Sequence, residues 1–230
     1  MWEKFADTFI STFIKNNRWI SLFTGLKVTL QITFFAALIG ILLGFLVAII
    51  RSTHDKTGKL KFANFISKIY LTVIRGTPTT VQLLIIYYIV FASVPVDKVF
   101  TAVIAFGLNS GAYVAEIVRS GIMSVDNGQS EAGRSLGFNY FQTMIYIVLP
   151  QAFKNVLPAL GNEFIVLLKE TSISGYIALT DLTRAGNIIR SDTYEAFMPL
   201  LAVAAIYLVI VMILSRCVTL LERRLSASDH

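Results

Sequence analysis

Residues 111–150 read GAYVAEIVRSGIMSVDNGQSEAGRSLGFNYFQTMIYIVLP, and their reading decides the fold. The stretch begins inside an apolar segment, leaves it at Arg119, crosses a polar loop and enters a second apolar run near Phe141. The loop holds Gly128, Ser130, Ala132, Gly133, Ser135 and Gly137, small residues that let another surface approach the backbone closely. It has the make-up of a docking element joining two membrane segments.

The rest of the chain supports that setting. Of 230 residues, 55% are hydrophobic and 15% are charged, with a mean hydropathy of +0.69. A soluble domain carries about 25% charged residues, so the deficit points to the bilayer as solvent. Windows without any charge run over Val28–Ile50, Gly76–Val96, Val99–Ala115, Ser135–Phe153 and Ala196–Ser215. About 20 helical residues cross a hydrocarbon core of about 30 Å, which predicts an all-α integral membrane protein with about five transmembrane helices. Buried helices of a large soluble core would need far more charged surface.

The net charge of +6 comes without a basic stripe interleaved with aromatics, so no nucleic-acid partner is expected. The single cysteine, Cys217, cannot form an intrachain disulfide and reads as apolar filler. His54 and His230 show no metal-ligand spacing, and no nucleophile–base constellation suggests a catalytic residue. The first residues carry Glu3, Lys4, Asp7, Lys15 and Arg18, which does not fit a cleavable signal peptide.

In chain order, residues 1–20 place Trp2, Phe5, Phe9 and Phe13 at helical spacing, an amphipathic helix for the membrane interface. The membrane-spanning body then covers 21–221, and a tail covers 222–230. The first span carries Gly40 and Gly44, a pair that lets a neighbouring helix close in. The loop after it holds Arg51, Lys56, Lys59, Lys61 and Lys68 against Asp55 and is expected to be cytoplasmic. That puts the N-terminus outside and, after five spans, the C-terminus with Arg216, Arg223 and Arg224 in the cytoplasm.

The second span breaks at Arg75-Gly76-Thr77-Pro78. Thr77 suits an N-cap and Pro78 a first helical turn, so a helix is expected from there to about Val94. Its exposed N–H groups and Arg75 suit an anion such as a carboxylate, and the plainer reading is an arginine snorkelling to the surface. In the third span Asn109, Tyr113 and Glu116 share a face with Ser110 nearby, while Glu116 and Arg119 stand i, i+3 as a structural ion pair. The fourth span holds Pro150 and Pro158, each expected to bend it, before Asn162 and Glu163. Glu163 has no opposite charge within one turn, so a bound cation or Arg75 must neutralise it. Residues 171–195 read as an external segment and 197–221 as the fifth span. No inverted repeat of the kind common in secondary transporters is present.

Glu131-Ala132-Gly133, three residues, Gly137, nine residues, Ile147, one residue and Leu149-Pro150 form a motif. It resembles the EAA loop of the permease subunits of type I ATP-binding-cassette importers, with Gly133 where the pattern has a second alanine. Arg75-Gly76-Thr77-Pro78, Gly111-Ala112-Tyr113 with Glu116 and Arg119, Gly128-Gln129, and Asn162-Glu163 through Leu167-Leu168-Lys169 with Thr171-Ser172 look like the polar amino-acid branch. The similarity covers roughly residues 20–221.

The resemblance implies that residues 126–140 form a cytoplasmic coupling helix seated in an ATPase subunit through Glu131, Ala132, Gly133 and Gly137. It implies a dimer of permeases in a bacterial cytoplasmic membrane, two separate ATPase subunits and an external solute-binding protein. Two copies of this chain are expected, with a heterodimer of similar subunits left open by the sequence. No GxxxxGK[ST] occurs, so no cofactor is expected in this chain, ATP and Mg being held by the partner ATPase. The expected substrate is a polar, basic amino acid, held by Arg75, Thr77, Asn162 and Glu163 with Gln82, Asn109, Ser110 and Tyr113 behind them. An ion-gradient-driven secondary transporter or channel, using Glu116, Arg119 and Glu163, is the alternative.

Overall fold

The computed structural model describes residues 2–226 and, among them, is helical throughout with no strand. Helix α1 covers Trp2–Phe9 and runs on through a π-helical turn to Ile14. Asn16 and Asn17 then take left-handed backbone angles, which side chains of their type tolerate, and break the chain from α2. The expected interfacial face divides here. Phe5 and Phe9 are exposed, but Phe13 is buried beside Leu22 and Leu182 of its own chain. The side chain of Trp2, expected on that face, lies outside the described ones.

Helix α2, Arg18–Thr57, is 40 residues long and ends where Gly58 adopts φ +68° and donates to His54 O. Helix α3 covers Lys61–Gly76 and α4 covers Thr79–Ile85, with a π-helical turn carrying it to Val90. The two meet at 111°. The expected break is therefore present, but its chemistry differs from the expectation. Pro78, not Thr77, occupies the N-cap position of α4, and Thr77 turns back to donate to Val73 O at 2.8 Å. Helicity also stops at Val90, short of Val94.

Helix α5, Lys98–Met123, starts at Asp97, whose carboxylate accepts from Val99 N. Asp126 likewise caps the short α6, Asn127–Ser135. Gly137, at φ +86°, turns the chain into α7, Tyr140–Thr143, which opens with an Asn139–Gln142 capping box. A π-helical turn at Met144–Val148 joins α7 to α8, Leu149–Glu170. Pro150 follows that turn directly, and α8 continues through Pro158. The irregular hydrogen bonding of this stretch lies in the π-helical turn just ahead of Pro150.

After a 3₁₀ turn at Thr171–Ile177 come α9, Leu182–Thr193, and α10, Phe197–Ser226. Residues 227–230 of the expected tail lie outside the described ones.

Three of these helices are long and apolar enough to cross a membrane, within Phe5–Thr57, Lys98–Met123 and Phe197–Leu225, and the bent pair α3–α4 makes a fourth crossing if it counts as one. The expected count of five is not reached on this measure. Helix α8, with Lys154, Glu163, Lys169 and Glu170, is too polar to be counted this way, and it packs along α5 through Ala152 and Val156.

The core is arranged around α5. One cluster packs Phe106 with Ile32 of α2, Leu83 of α4 and Leu167 of α8. A second joins Val114 and Val118 to Ala48, Val148, Ala152 and Val156. The α2–α5 seam is built on glycine. A Cβ at Gly40 would stand 2.9 Å from Ser110 Cβ, and one at Gly107 2.8 Å from Ile39 Cγ2. Gly44 meets Val114 more closely still. The expected small-residue pair is thus matched by a reciprocal one on α5. The 171–195 segment is packed on the body: Leu182, Ala185 and Ile189 are buried, and Leu182 N donates to Thr29 Oγ1 of α2 at 3.1 Å.

Candidate functional site

Tyr113, Glu116, Ile117, Ser120, Gly121 and Ser124 recur along one face of α5 at helical spacing. They line an open cavity of about 600 Å³, with Arg75 at the end of α3 and Asn155, Ala159 and Glu163 of α8 forming the rest of its wall. Small-ligand sites occupy about 300–1,000 Å³, so the volume suits one.

Glu116 lies between two guanidiniums. Arg75 Nη1 is 3.5 Å from its Oε2, and Arg119 Nη1 is 3.8 Å from its Oε1. Arg119 Nη2 also donates to Asp55 Oδ2 at 3.2 Å. The expected two-residue pair is therefore the middle of a chain, Arg75–Glu116–Arg119–Asp55, whose outer members come from α3 and α2. The Arg75 guanidinium stands 5.8 Å from the Tyr113 ring centre, a cation–π distance.

Glu163 is held differently. Ser110 Oγ donates to its Oε1 at 2.8 Å, and none of the ion pairs among the described residues includes it. Arg75, considered above as its neutralising partner, is engaged by Glu116 instead. The two residues nonetheless line one cavity, so it presents a guanidinium at one place and a carboxylate at another.

The other expected site residues divide. Tyr113 lines the cavity and Ser110 is buried behind Glu163. Asn162 does not join them: one residue further round α8, it lines a separate cleft with Pro158 and Glu222. Thr77, Gln82 and Asn109 are absorbed by the α3–α4 break. Gln82 Nε2 lies 2.7 Å from Ile74 O, 3.0 Å from Thr77 O and 2.9 Å from Thr77 Oγ1. Its Oε1 accepts from Asn109 Nδ2 at 2.9 Å. The last carbonyls of α3 have no intrahelical donor, and the Gln82 amide supplies one across the corner.

Sequence reasoning passed over Ser120, Gly121, Ser124 and Asn155. Asn155 Nδ2 donates to Ser124 Oγ at 2.9 Å, and Ser124 donates to Gly121 O at 2.8 Å, a polar link between α5 and α8. The signal was the continuation of the Tyr113–Glu116 face through two further turns.

The loop residues expected to meet a partner occupy α6 and its exit. Glu131 and Ala132 are exposed, and Gly133 is buried on the opposite side. A Cβ at Gly133 would stand 2.7 Å from Ile147 Cδ1 and 2.9 Å from Thr143 Cγ2. Glycine, rather than a second alanine, seats α6 against the chain that follows.

Comparison with known proteins gives a consistent result. Residues 40–227 match the family described as binding-protein-dependent transport system inner membrane component. The arginine transport system permease protein ArtQ of Bacillus subtilis is 39% identical over 89% of this chain and 92% of its own length. The glutamine transport system permease protein GlnP of Escherichia coli K12 is 36% identical over 89% and 92%. A crystal structure of an amino acid ABC transporter with histidines superposes with a TM-score of 0.82 at 43% identity, covering 92% of this chain and 98% of that one. An inward-facing MetNI methionine ABC transporter shares the fold, with a TM-score of 0.76 at 19% identity over 89% and 95%.

Proposed function

The chain belongs to the binding-protein-dependent transport system inner membrane component family, as a permease subunit of an amino-acid ABC importer, and from that premise we propose that it carries basic amino acids. Membership brings an ATPase partner, a substrate-binding protein and a multi-pass place in the inner membrane, and it disfavours an ion-gradient-driven transporter. Members are permeases rather than enzymes in their own right. In our reading two copies of this chain form the path, the ATPase subunits hold ATP and Mg, and the N-terminus lies outside with the C-terminus in the cytoplasm. The exposed face of α6, with Glu131 and Ala132, docks the ATPase, and Gly133 and Gly137 fix its pose.

One observation carries the substrate assignment. Glu163 faces the cavity with a hydroxyl as its partner, while Glu116 already occupies both nearby arginines. A cationic side chain or amino group from the substrate completes Glu163. The substrate carboxylate competes with Glu116 for Arg75, whose 3.5 Å approach leaves room for a closer anion. The names of the arginine and glutamine relatives fit a polar amino acid.

The test is uptake by proteoliposomes holding permease, ATPase and binding protein, with radiolabelled arginine and glutamine compared. Loss of a hydrogen bond to a charged group lowers affinity by about tenfold or more, so Glu163→Gln should cut arginine uptake by that factor at unchanged ATP hydrolysis. Arginine uptake that survives Glu163→Gln with coupling intact sinks the assignment.

A further inference from the structure

A further cleft, with basic residues at its rim, lies outside the cavity, between the end of α2, the flank of α6 and α7. It measures about 260 Å³, and Lys56, Ser130, Arg134, Tyr140 and Thr143 line it above Met144 and Val148. The Lys56 ammonium stands 6.0 Å from the Tyr140 ring centre, which orients it. Among the described residues neither Lys56 nor Arg134 joins an ion pair. Thr143 is 4% exposed, and its hydroxyl, within a helix, has no hydrogen-bond partner. Two unpaired cations and an unanswered buried hydroxyl at one cleft suit a phosphate group.

We propose that this cleft binds the headgroup phosphate of an anionic phospholipid from the adjacent leaflet. Its surroundings are those of a membrane interface. Phe141, next to the lining residue Tyr140 in the chain, is 69% exposed, as interfacial aromatics are. Lys59 and Lys61, also exposed, follow Lys56 in the chain. Basic pockets between membrane helices are where anionic headgroups lodge. Met144 and Val148 give the glycerol end an apolar floor. A carboxylate from a protein docked on α6 is less suited: Glu131 and Ala132 point outward, whereas Ser130 and Arg134 reach the cleft from the flank that faces the bundle.

The experiment is native mass spectrometry of the full chain assembled with its ATPase, exposed to equimolar phosphatidylglycerol and phosphatidylcholine of matched acyl chains. Each cation near a headgroup contributes about fivefold, so phosphatidylglycerol should be retained in at least that excess, and Lys56→Gln with Arg134→Gln should bring retention close to parity. Lys59→Gln with Lys61→Gln, outside the cleft, should change the excess by less than about twofold. Thr143→Val, which keeps shape and charge, should lower it about threefold and serves if the double variant misfolds. Equal retention of both lipids overturns the proposal, as does an excess that survives loss of Lys56 and Arg134. Displacement by millimolar inorganic phosphate would mark a site for the free ion instead. An excess seen only without the ATPase would mark the cleft as a protein contact.

Discussion

Helix α5 has two unlike faces. Towards α2 it presents Gly107, Ser110, Gly111 and Val114, and the two backbones come as close as glycine allows. Towards α8 it presents Tyr113, Glu116, Ser120 and Ser124, and a cavity opens. The first face lacks room for one added methyl group, and the second holds space for a ligand. The contrast teaches how a site can be positioned in lipid, where no hydrophobic force presses helices together and close packing must hold them. The seam with α2 sets where α5 stands, and the charges on its far side inherit that placement.

The largest effect should come from breaking the packed face. Gly44→Leu drives a side chain into Val114 and should cost about 3 kcal/mol or more, read as a lower unfolding temperature in detergent. Ser120→Leu adds similar bulk on the cavity side of the same helix. It should leave stability within about 0.5 kcal/mol and fill the cavity, with loss of uptake. If both variants destabilise equally, the two faces are not distinct.

A middle-sized effect tests the corner that sets Arg75. Gln82→Leu strips a donor from the Ile74 and Thr77 carbonyls and a partner from Asn109, at about 1–3 kcal/mol. Faster hydrogen exchange at residues 74–82, with α2 and α5 unchanged, is the expected readout.

The smallest effect belongs to the exposed end of the ion chain. Asp55→Asn removes the Arg119 partner at 3.2 Å and should cost about 0.2–1 kcal/mol, the range for exposed pairs. The cost should vanish in high salt, because exposed pairs are screened there.

The comparison also shows what was legible beforehand. The apolar windows located α2, α5 and α10, since a bilayer imposes length and a lack of charge on any span. The break at Gly76 was legible through Pro78, and the placing of Arg75 and Glu163 followed from their cost in an apolar segment. The corner's internal bonding was not: Gln82 and Asn109 look like free polar groups until folding sets them face to face. Glu116 shows the limit well. Its partner on the same helix was plain from spacing, but Arg75 and Asp55 come from other helices. The packing of α9 was less legible: Asp181, Arg184 and Arg190 dominate its sequence, and only the spacing of Leu182, Ala185 and Ile189 marks a face for α2.

Helix α2 is one uninterrupted rod. Its 40 residues extend about 60 Å, twice the hydrocarbon thickness of about 30 Å, without a break. A rod of that length, rocked by about 5° about its midpoint, carries its ends about 2.5 Å in opposite directions. One end holds Gly25 and Thr29 against Asp181 and Leu182, and the other holds Asp55 against Arg119. A see-saw of this reach sends a displacement from one side of the membrane to the other with no joint in which to lose it.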